Sequence, residues 1–495
     1  MSTNNEESYV TPEDADHALK FLAKSGSNDE PVFDQTRLKA LRRRVDWQII
    51  PLFFLCYTMS FLDKVILNYG AVMGLNKDLH LTGNQFSNVG TFFFVVLLVA
   101  EIPNGLILNK IPAAKWLGIS VILWGVSTAC TAAATDYHTL LTARLFLAIF
   151  EASMAPCLML LTSQWYTKSE QAPRFAIFYT GLGAGQILGG VISFAFQHVN
   201  DLSFSSWRIM FVTLGCVTII IGSMTVFYIP DTPMQAKFLS NAEKVALLNH
   251  VSINQTGIEN HHFKIGQVWE LILDPQIWLL MIMIALVCIP SGVISLYSST
   301  LLKNFGYTPR IAALLNSPSG VVSIISSVVS GVGIRYYSQR WLWIIGLTII
   351  GAIGAALMLF IPQGSHGGLL AGIYLINTVT ATLPITYQWV ASNVAGHTKR
   401  PFAMGMISAA FALGNVIGPQ TFQAKDAPYY KPARVTIFAT QIGGALIVVL
   451  TWCYYRKVNA RRDRKHVVRR HEELSDEEKW SSMTDKENLS FRYVY

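Results

Sequence analysis

From residue 48 to residue 455 the chain is a succession of apolar runs separated by short polar breaks. Each run is roughly 18 to 24 residues long, enough for a helix to cross the hydrocarbon core of a bilayer. The buried strands of a soluble α/β protein are far shorter, about 4–8 residues. Twelve spans follow, near 48–70, 88–109, 117–135, 139–161, 175–197, 208–229, 277–299, 311–332, 341–361, 367–391, 401–419 and 434–455. The expected fold is an all-α polytopic membrane protein with twelve transmembrane helices. Composition agrees: 14% of residues are charged, against about 25% in soluble domains, and many of these charges lie in the two polar ends.

The polar start "MSTNNEESYVTPEDADHALK" has no basic-plus-apolar leader, so the first span is expected to direct insertion itself. All six cysteines fall inside the spans, and no CxxC pair suggests a metal. The net charge of +8 sits at membrane edges, which argues for topology rather than nucleic acid. With both termini in the cytoplasm, the inner short loops carry Lys110, Lys115, Lys168, Arg174, Arg335, Arg340, Lys399 and Arg400. "LKALRRR" and "RKVNARRDRK" border the same side, so the positive-inside rule selects this orientation. The sequons at Asn254 and Asn488 would then be cytoplasmic and unused.

One connection is long, residues 230–276, between spans six and seven. "NGLILNKIPAAKWLG" after span two and "SGVGIRYYSQRWLWIIG" after span eight also match in texture. Both observations divide the chain into a tail 1–47, a bundle 48–229, a loop 230–276, a bundle 277–455 and a tail 456–495. Parallel six-helix repeats of this kind place substrate sites at their interface near mid-membrane. The C-terminal tail, basic and then acidic and Ser-rich, reads as a disordered regulatory or trafficking segment.

Charges inside the spans are the candidates for function, because each costs about 2.5–3.5 kcal/mol at a helix centre. They are Asp63, Lys64, Glu101, Arg144 and Glu151, all in the first half. The second half shows none away from loops and span ends. Asp63 and Lys64 are adjacent and so point about 100° apart on a helix. Arg144 is the expected partner of Asp63, which would leave Lys64 as a spare positive charge for an anion. Glu151, two turns beyond Arg144 on the same face, is expected to titrate separately as a proton-coupling group. Glu101, beside Pro103 and Gly105, suggests a packing or hinge role. Small-residue stretches "GLGAGQILGGVIS" and "AFALGNVIGP" allow close helix approach and offer Gln186 and Asn415 as polar cavity residues. All eleven histidines fall in loops or tails, so no histidine relay is assigned.

The stretches "FLDKVILNYG", "LHLTGNQFSNVGTFF", "AEIPNGLIL", "KWLG", "RLFLAIFEA", "SQWYTKSEQAPR", "GQILGGVISFAF", "YQWVASNVAGHTKR" and "GNVIGPQTF" carry a resemblance. They resemble the major facilitator superfamily, specifically its anion:cation symporter family and the fungal allantoate permease branch. That resemblance implies two six-helix bundles. It also implies proton coupling through Asp63 and Glu151, and substrate binding by Lys64, Arg144 and Asn415, to which the small-residue pattern adds Gln186. Lys64 stands where many relatives have Arg, which keeps a point charge but loses bidentate geometry. The loop "GLILNKIPAAKW" has Asn109 where the superfamily's usual Asp is expected, weakening a gate in which Glu101, Gly105 and Lys110 would take part.

The function expected is secondary active transport: proton-coupled uptake of a small organic anion, a ureido acid such as allantoate or a vitamin-like monocarboxylate. Alternatives are a transporter-like nutrient sensor, or a carrier of a neutral or cationic heterocycle or small peptide. An enzyme is not expected, since no metal cluster, serine elbow or phosphate loop occurs in a suitable context. Neither cofactor nor nucleic acid is implied. The partners are the substrate, protons and the lipid bilayer, with the chain acting as a monomer in the plasma membrane, or alternatively in the endoplasmic reticulum or vacuolar membrane.

Overall fold

The computed structural model describes residues 35–108, 111–199, 204–252, 265–304, 306–362, 365–395, 399–426, 430–464, 484–487 and 491–495. Every long element among them is a helix, and eleven are long and apolar enough to cross a membrane. The twelfth is the 24-residue helix Gln85–Leu108, whose only charge is Glu101. The first half contains α1 (Gln35–Val72), α2 (Gln85–Leu108) and α3 (Ala113–Thr131). It continues through α4 (Tyr137–Glu151), α5 (Met154–Trp165), α6 (Lys168–Tyr179), α7 (Gly181–Phe196) and α8 (Ser206–Tyr228). Two helices occupy the connection, α9 (Asn241–Ser252) and α10 (Ile265–Ile272). The second half has α11 (Pro275–Asn304), α12 (Pro309–Tyr336), α13 (Arg340–Phe360), α14 (His366–Ile376), α15 (Thr382–Asn393), α16 (Lys399–Gln420) and α17 (Lys431–Arg464).

The halves meet along three pairs: α1 with α11, α2 with α16, and α7 with α12. Glycine makes the last pair tight. A Cβ on Gly183 would lie 2.5 Å from the Gly320 carbonyl oxygen, closer than any side chain tolerates. The small-residue stretch in span five therefore serves the interface between halves.

Three spans are interrupted: the fifth at Thr180, between α6 and α7, and two others at breaks that share a device. The fourth stops at Glu151 and restarts at Met154, and the tenth passes through a 3-10 turn, Asn377–Ala381, before α15. Each restart carries a proline at its third position, Pro156 and Pro384. Proline cannot donate to the preceding turn and its ring clashes with the carbonyl four residues back, but it fits the first turn of a new helix. Irregular backbone within a span is tolerated where it lines a cavity.

Both ends of the chain depart from expectation. The first helix begins at Gln35, so the basic segment before residue 48 is helical and continuous with the span. At the other end α17 runs to Arg464, and part of the tail is docked rather than free. The Val494 carbonyl accepts from Trp389 Nε1 and Asn393 Nδ2, both at 2.9 Å. Tyr493 stacks on Tyr455 at 4.8 Å between centroids, and its backbone exchanges two hydrogen bonds with Asn459. Asp485 reaches Lys399 at 2.7 Å. Lys399, taken from sequence as a loop-end marker, is fully buried and also bridges Glu270 and Asp274 at 2.8 Å each. The second half therefore does bury charge, at the bundle's end and not in mid-membrane. Asn254, Asn488, Asn109 and Lys110 lie outside the described residues, as does most of the first tail.

Candidate functional site

A cavity of about 130 Å³ lies between the halves, roughly ten times the space one water needs. Lys64 of α1, Glu101 of α2 and Glu151 at the end of α4 line it from the first half. The second half contributes Ser291, Ser295, Thr380, Tyr387, Ser408 and Asn415, with no charge among its lining residues. This matches the division expected from the sequence, charge from one half and polar contacts from the other.

The pairing inside the site does not match. Lys64 Nζ lies 2.9 Å from Glu151 Oε1, so Lys64 is not spare and Glu151 is not isolated. Ser60, one turn before Lys64, also donates to Glu151 Oε1. Glu151 owes its reach to the helix break immediately after it. Asp63 turns away from Lys64, as the 100° rule required, and is fully buried outside the cavity lining. Its carboxylate accepts from the indole of Trp124, a partner the sequence reading did not propose. Arg144 does meet Asp63, but at the backbone: Nη1 donates to the Asp63 carbonyl at 2.8 Å. The guanidinium lies over the Phe211 ring at 5.2 Å. Arg144 and Lys64 both border a smaller pocket behind Phe93 and Phe94, so Arg144 sits one layer behind the main cavity.

The remaining candidates separate. Asn415 lines the cavity, with its amide donating to the Phe411 carbonyl at 2.9 Å. Gln186 is buried but is not among the cavity-lining residues; its Cβ faces Gly320 across the tight α7–α12 contact. Glu101 lines the cavity and accepts from Ser408 Oγ across the interface, at 3.0 and 3.1 Å to its two oxygens. Beside Pro103, the Asn104 amide donates to the Ala100 carbonyl at 2.8 Å. Gly105 lies within α2.

The end of the bundle away from the termini is closed by a polar seam. Asn68 Nδ2 donates to Ser298 Oγ at 2.9 Å, and Asn316 Nδ2 donates to the same oxygen at 2.9 Å. Ser87 donates to the Phe422 carbonyl at 3.1 Å, and Gln420 to Thr91 at 2.7 Å. Tyr297 stacks on Phe422 at 4.6 Å. Serines and a tyrosine scattered through apolar runs carry no periodic signal, so only the folded pairing reveals them.

Twelve spans in two halves around a central, charged cavity define a membrane transporter. Residues 53–419 match the profile of the Major Facilitator Superfamily, and the chain belongs to that family. Among relatives, the thiamine pathway transporter THI73 of Saccharomyces cerevisiae is 33% identical, covering 99% of this chain and 95% of that one. The allantoate permease of the same yeast is 30% identical, covering 100% of this chain and 92% of its own. The fold is that of the proton:xylose symporter XylE, with a TM-score of 0.65 at 16% identity, covering 82% of this chain and 95% of that one. A bacterial homologue of the lysosomal transporter Spinster, inward-facing and occupied, gives 0.61 at 16% identity over 81% and 96%.

Proposed function

We propose that this protein is a proton-coupled secondary transporter of a small organic acid, with Glu151 as the proton site and Lys64 as the carboxylate site. The observation that carries this reading is the Lys64–Glu151 bridge on the cavity wall. In a low-dielectric cavity, charge must balance locally. A substrate carboxylate arriving alone would compete with Glu151 for the Lys64 ammonium, two carboxylates at one cation. A proton arriving alone would neutralise Glu151 and leave Lys64 unpaired. Together they balance, because the protonated Glu151 releases Lys64 and the substrate takes its place. Binding of either then favours the other, which is the thermodynamic requirement for coupling. A monoanion with one proton makes an electroneutral step.

Asp63 and Arg144, one layer back, tie α1 to α4 through the Asp63 carbonyl and to α3 through Trp124. Asp63 is therefore proposed as a supporting charge, reached by protons after Glu151. The bundles 48–229 and 277–455 rock about the cavity as one chain, with the seam at Asn68 and Ser298 parting when the cavity opens outward. Both termini and the 230–276 loop face the cytoplasm, and the plasma membrane is the proposed site of action. The name of the allantoate permease denotes a carboxylate, in keeping with an acid as cargo.

The test is Glu151→Gln in proteoliposomes. This variant mimics the protonated state, so exchange of substrate across the membrane persists while accumulation driven by a pH gradient is lost. Full gradient-driven accumulation by E151Q would remove Glu151 from the coupling step.

A further inference from the structure

The cavity carries one more charge than the proposed coupling uses. Its lining includes three ionic side chains, Lys64, Glu151 and Glu101. The first two neutralise one another at 2.9 Å. Glu101 is left as a half-buried carboxylate whose hydrogen-bond donor among the described residues is one hydroxyl, Ser408 Oγ, shared between both oxygens. A carboxylate offers about four acceptor sites, so most of its capacity faces the cavity. For a cargo that is only an anion with an apolar body, this placement would be repulsive and would gain nothing. The arrangement becomes favourable when the cargo brings N–H groups to that end.

We infer that Glu101, with Ser408 and Tyr387 beside it on the cavity wall, forms a second recognition pole that accepts hydrogen bonds from an N–H-bearing group of the substrate. This rests on the cavity being the substrate site, and it assigns the cargo to a bifunctional class with a carboxylate at Lys64 and nitrogen-borne donors at Glu101. The donors are either the ammonium of a zwitterion or the neutral N–H groups of a ureido or amide function. A site built to pair with N–H groups rejects an analogue that lacks them, because the buried acceptor is then left unmatched. The pole also spans the two halves, since Glu101 belongs to α2 and Ser408 and Tyr387 to α16 and α15. Substrate donors that satisfy Glu101 thus compete with a bond holding the halves together, so the same contact serves selection and movement.

The test uses three acids of matched size, with binding to the purified full chain measured by calorimetry. Hydantoate carries a ureido group, γ-aminobutyrate an ammonium, and levulinate replaces the ureido N–H and NH2 of hydantoate with CH2 and CH3. The expected result is that at least one nitrogen-bearing acid binds tenfold or more tightly than levulinate, and that Glu101→Ala abolishes the difference. Glu101→Gln separates the two sources: it keeps an acceptor oxygen, so a ureido preference largely survives while an ammonium preference is lost. The amide of hydantoate distinguishes this inference from the carboxylate reading. If it binds through Glu101 with no loss in Lys64→Ala, the N–H pole stands even should acids prove not to be the cargo. Equal binding of levulinate and both nitrogen acids, a preference unchanged in Glu101→Ala, or no binding by any N–H probe would overturn the inference.

Discussion

Replacing Lys399 by Met should be among the most damaging substitutions in the protein, although it lies far from the cavity. Its ammonium is fully buried and lies 2.8, 2.8 and 2.7 Å from carboxylate oxygens of Glu270, Asp274 and Asp485. Burial disfavours the charged form, but Asp485 and Asp274 outweigh it and hold the Lys399 pKa above the ordinary lysine value. Without the ammonium, three carboxylates are left within 4.8 Å of one another. Among the described residues, Lys486 lies 3.5 Å from Asp274 and Arg462 donates to the Asp485 carbonyl at 2.8 Å. Breaking a buried ionic cluster from one side costs about 3–5 kcal/mol. Asp485→Asn removes one of three acceptors and leaves Lys399 with two, so its cost is that of a charge-assisted hydrogen bond, about 1.5–3 kcal/mol. That smaller loss falls on docking of the tail. Equilibrium unfolding in mixed micelles reads the first effect, and the rate of proteolysis within residues 484–495 reads the second. The signs provide the sharper check. Adding Asp485→Asn to Lys399→Met removes a repelling carboxylate, so the double variant should be more stable than Lys399→Met alone. The Lys399→Met deficit should also shrink as pH falls, because protonated carboxylates cease to repel. A double variant less stable than K399M, or a K399M protein as stable as wild type, would refute the electrostatic account.

Lys64→Ala should weaken binding of an acid substrate at least tenfold, about 1.4 kcal/mol, and should weaken its neutral amide less. Lys64→Arg should be milder because charge is retained; calorimetry at a pH where the acid is ionised checks both. At the terminus-bearing end, burial would raise the Glu170 carboxyl, but hydrogen bonds from Arg42, His250 and Thr167 prevail and lower it from 4.5 to about 2. A depressed folded-state value gives stability that is present above pH 4.5 and lost as pH falls toward about 2. Glu170→Gln should flatten that acid limb, followed through the accessibility of a cysteine placed in α9. For orientation, single cysteines replacing Val10, Asn254 or Trp480 should resist membrane-impermeant labelling of intact cells, and strong labelling at any one of them would reverse the topology.

The elements legible in the sequence are those set by one-dimensional patterns. An apolar run of span length has one low-energy fate in a bilayer, so the helices were readable, as was the long central connection. The 100° offset between Asp63 and Lys64 was readable too, since it follows from helix geometry alone. Their partners were not. A helical wheel fixes the angle between two side chains but not which neighbouring helix each one meets. Trp124 stands 61 residues from Asp63, and its indole looks like core packing until its hydrogen bond to Asp63 is seen. Lys399 was misread for a similar reason. A basic residue before an apolar run is the standard sign of a cytoplasmic edge, and its carboxylates lie 129, 125 and 86 residues away. The tail was misread by averaging: its acidic and Ser-rich bulk obscured the final "FRYVY", whose aromatic rings supply the contacts that dock it.

The breaks after Glu151 and at Asn377–Ala381 show why the charged residues sit where they do. An unbroken fourth helix would carry Glu151 on a regular surface with its backbone satisfied, and a buried carboxylate there would need an equally regular partner. Breaking the helix after Glu151 opens space for Ser60 and Lys64 to reach it from α1. On the opposite wall, the 3-10 turn Asn377–Ala381 brings Thr380 and Val379 to the same cavity. Pro156 and Pro384 stabilise both restarts at fixed positions, so the breaks are held open by the sequence. The proline that follows each break was visible from the start, in "EASMAP" and in "ATLP". Its meaning depends on depth: at a span end it would mark a helix start, and at mid-span it marks the wall of a binding site.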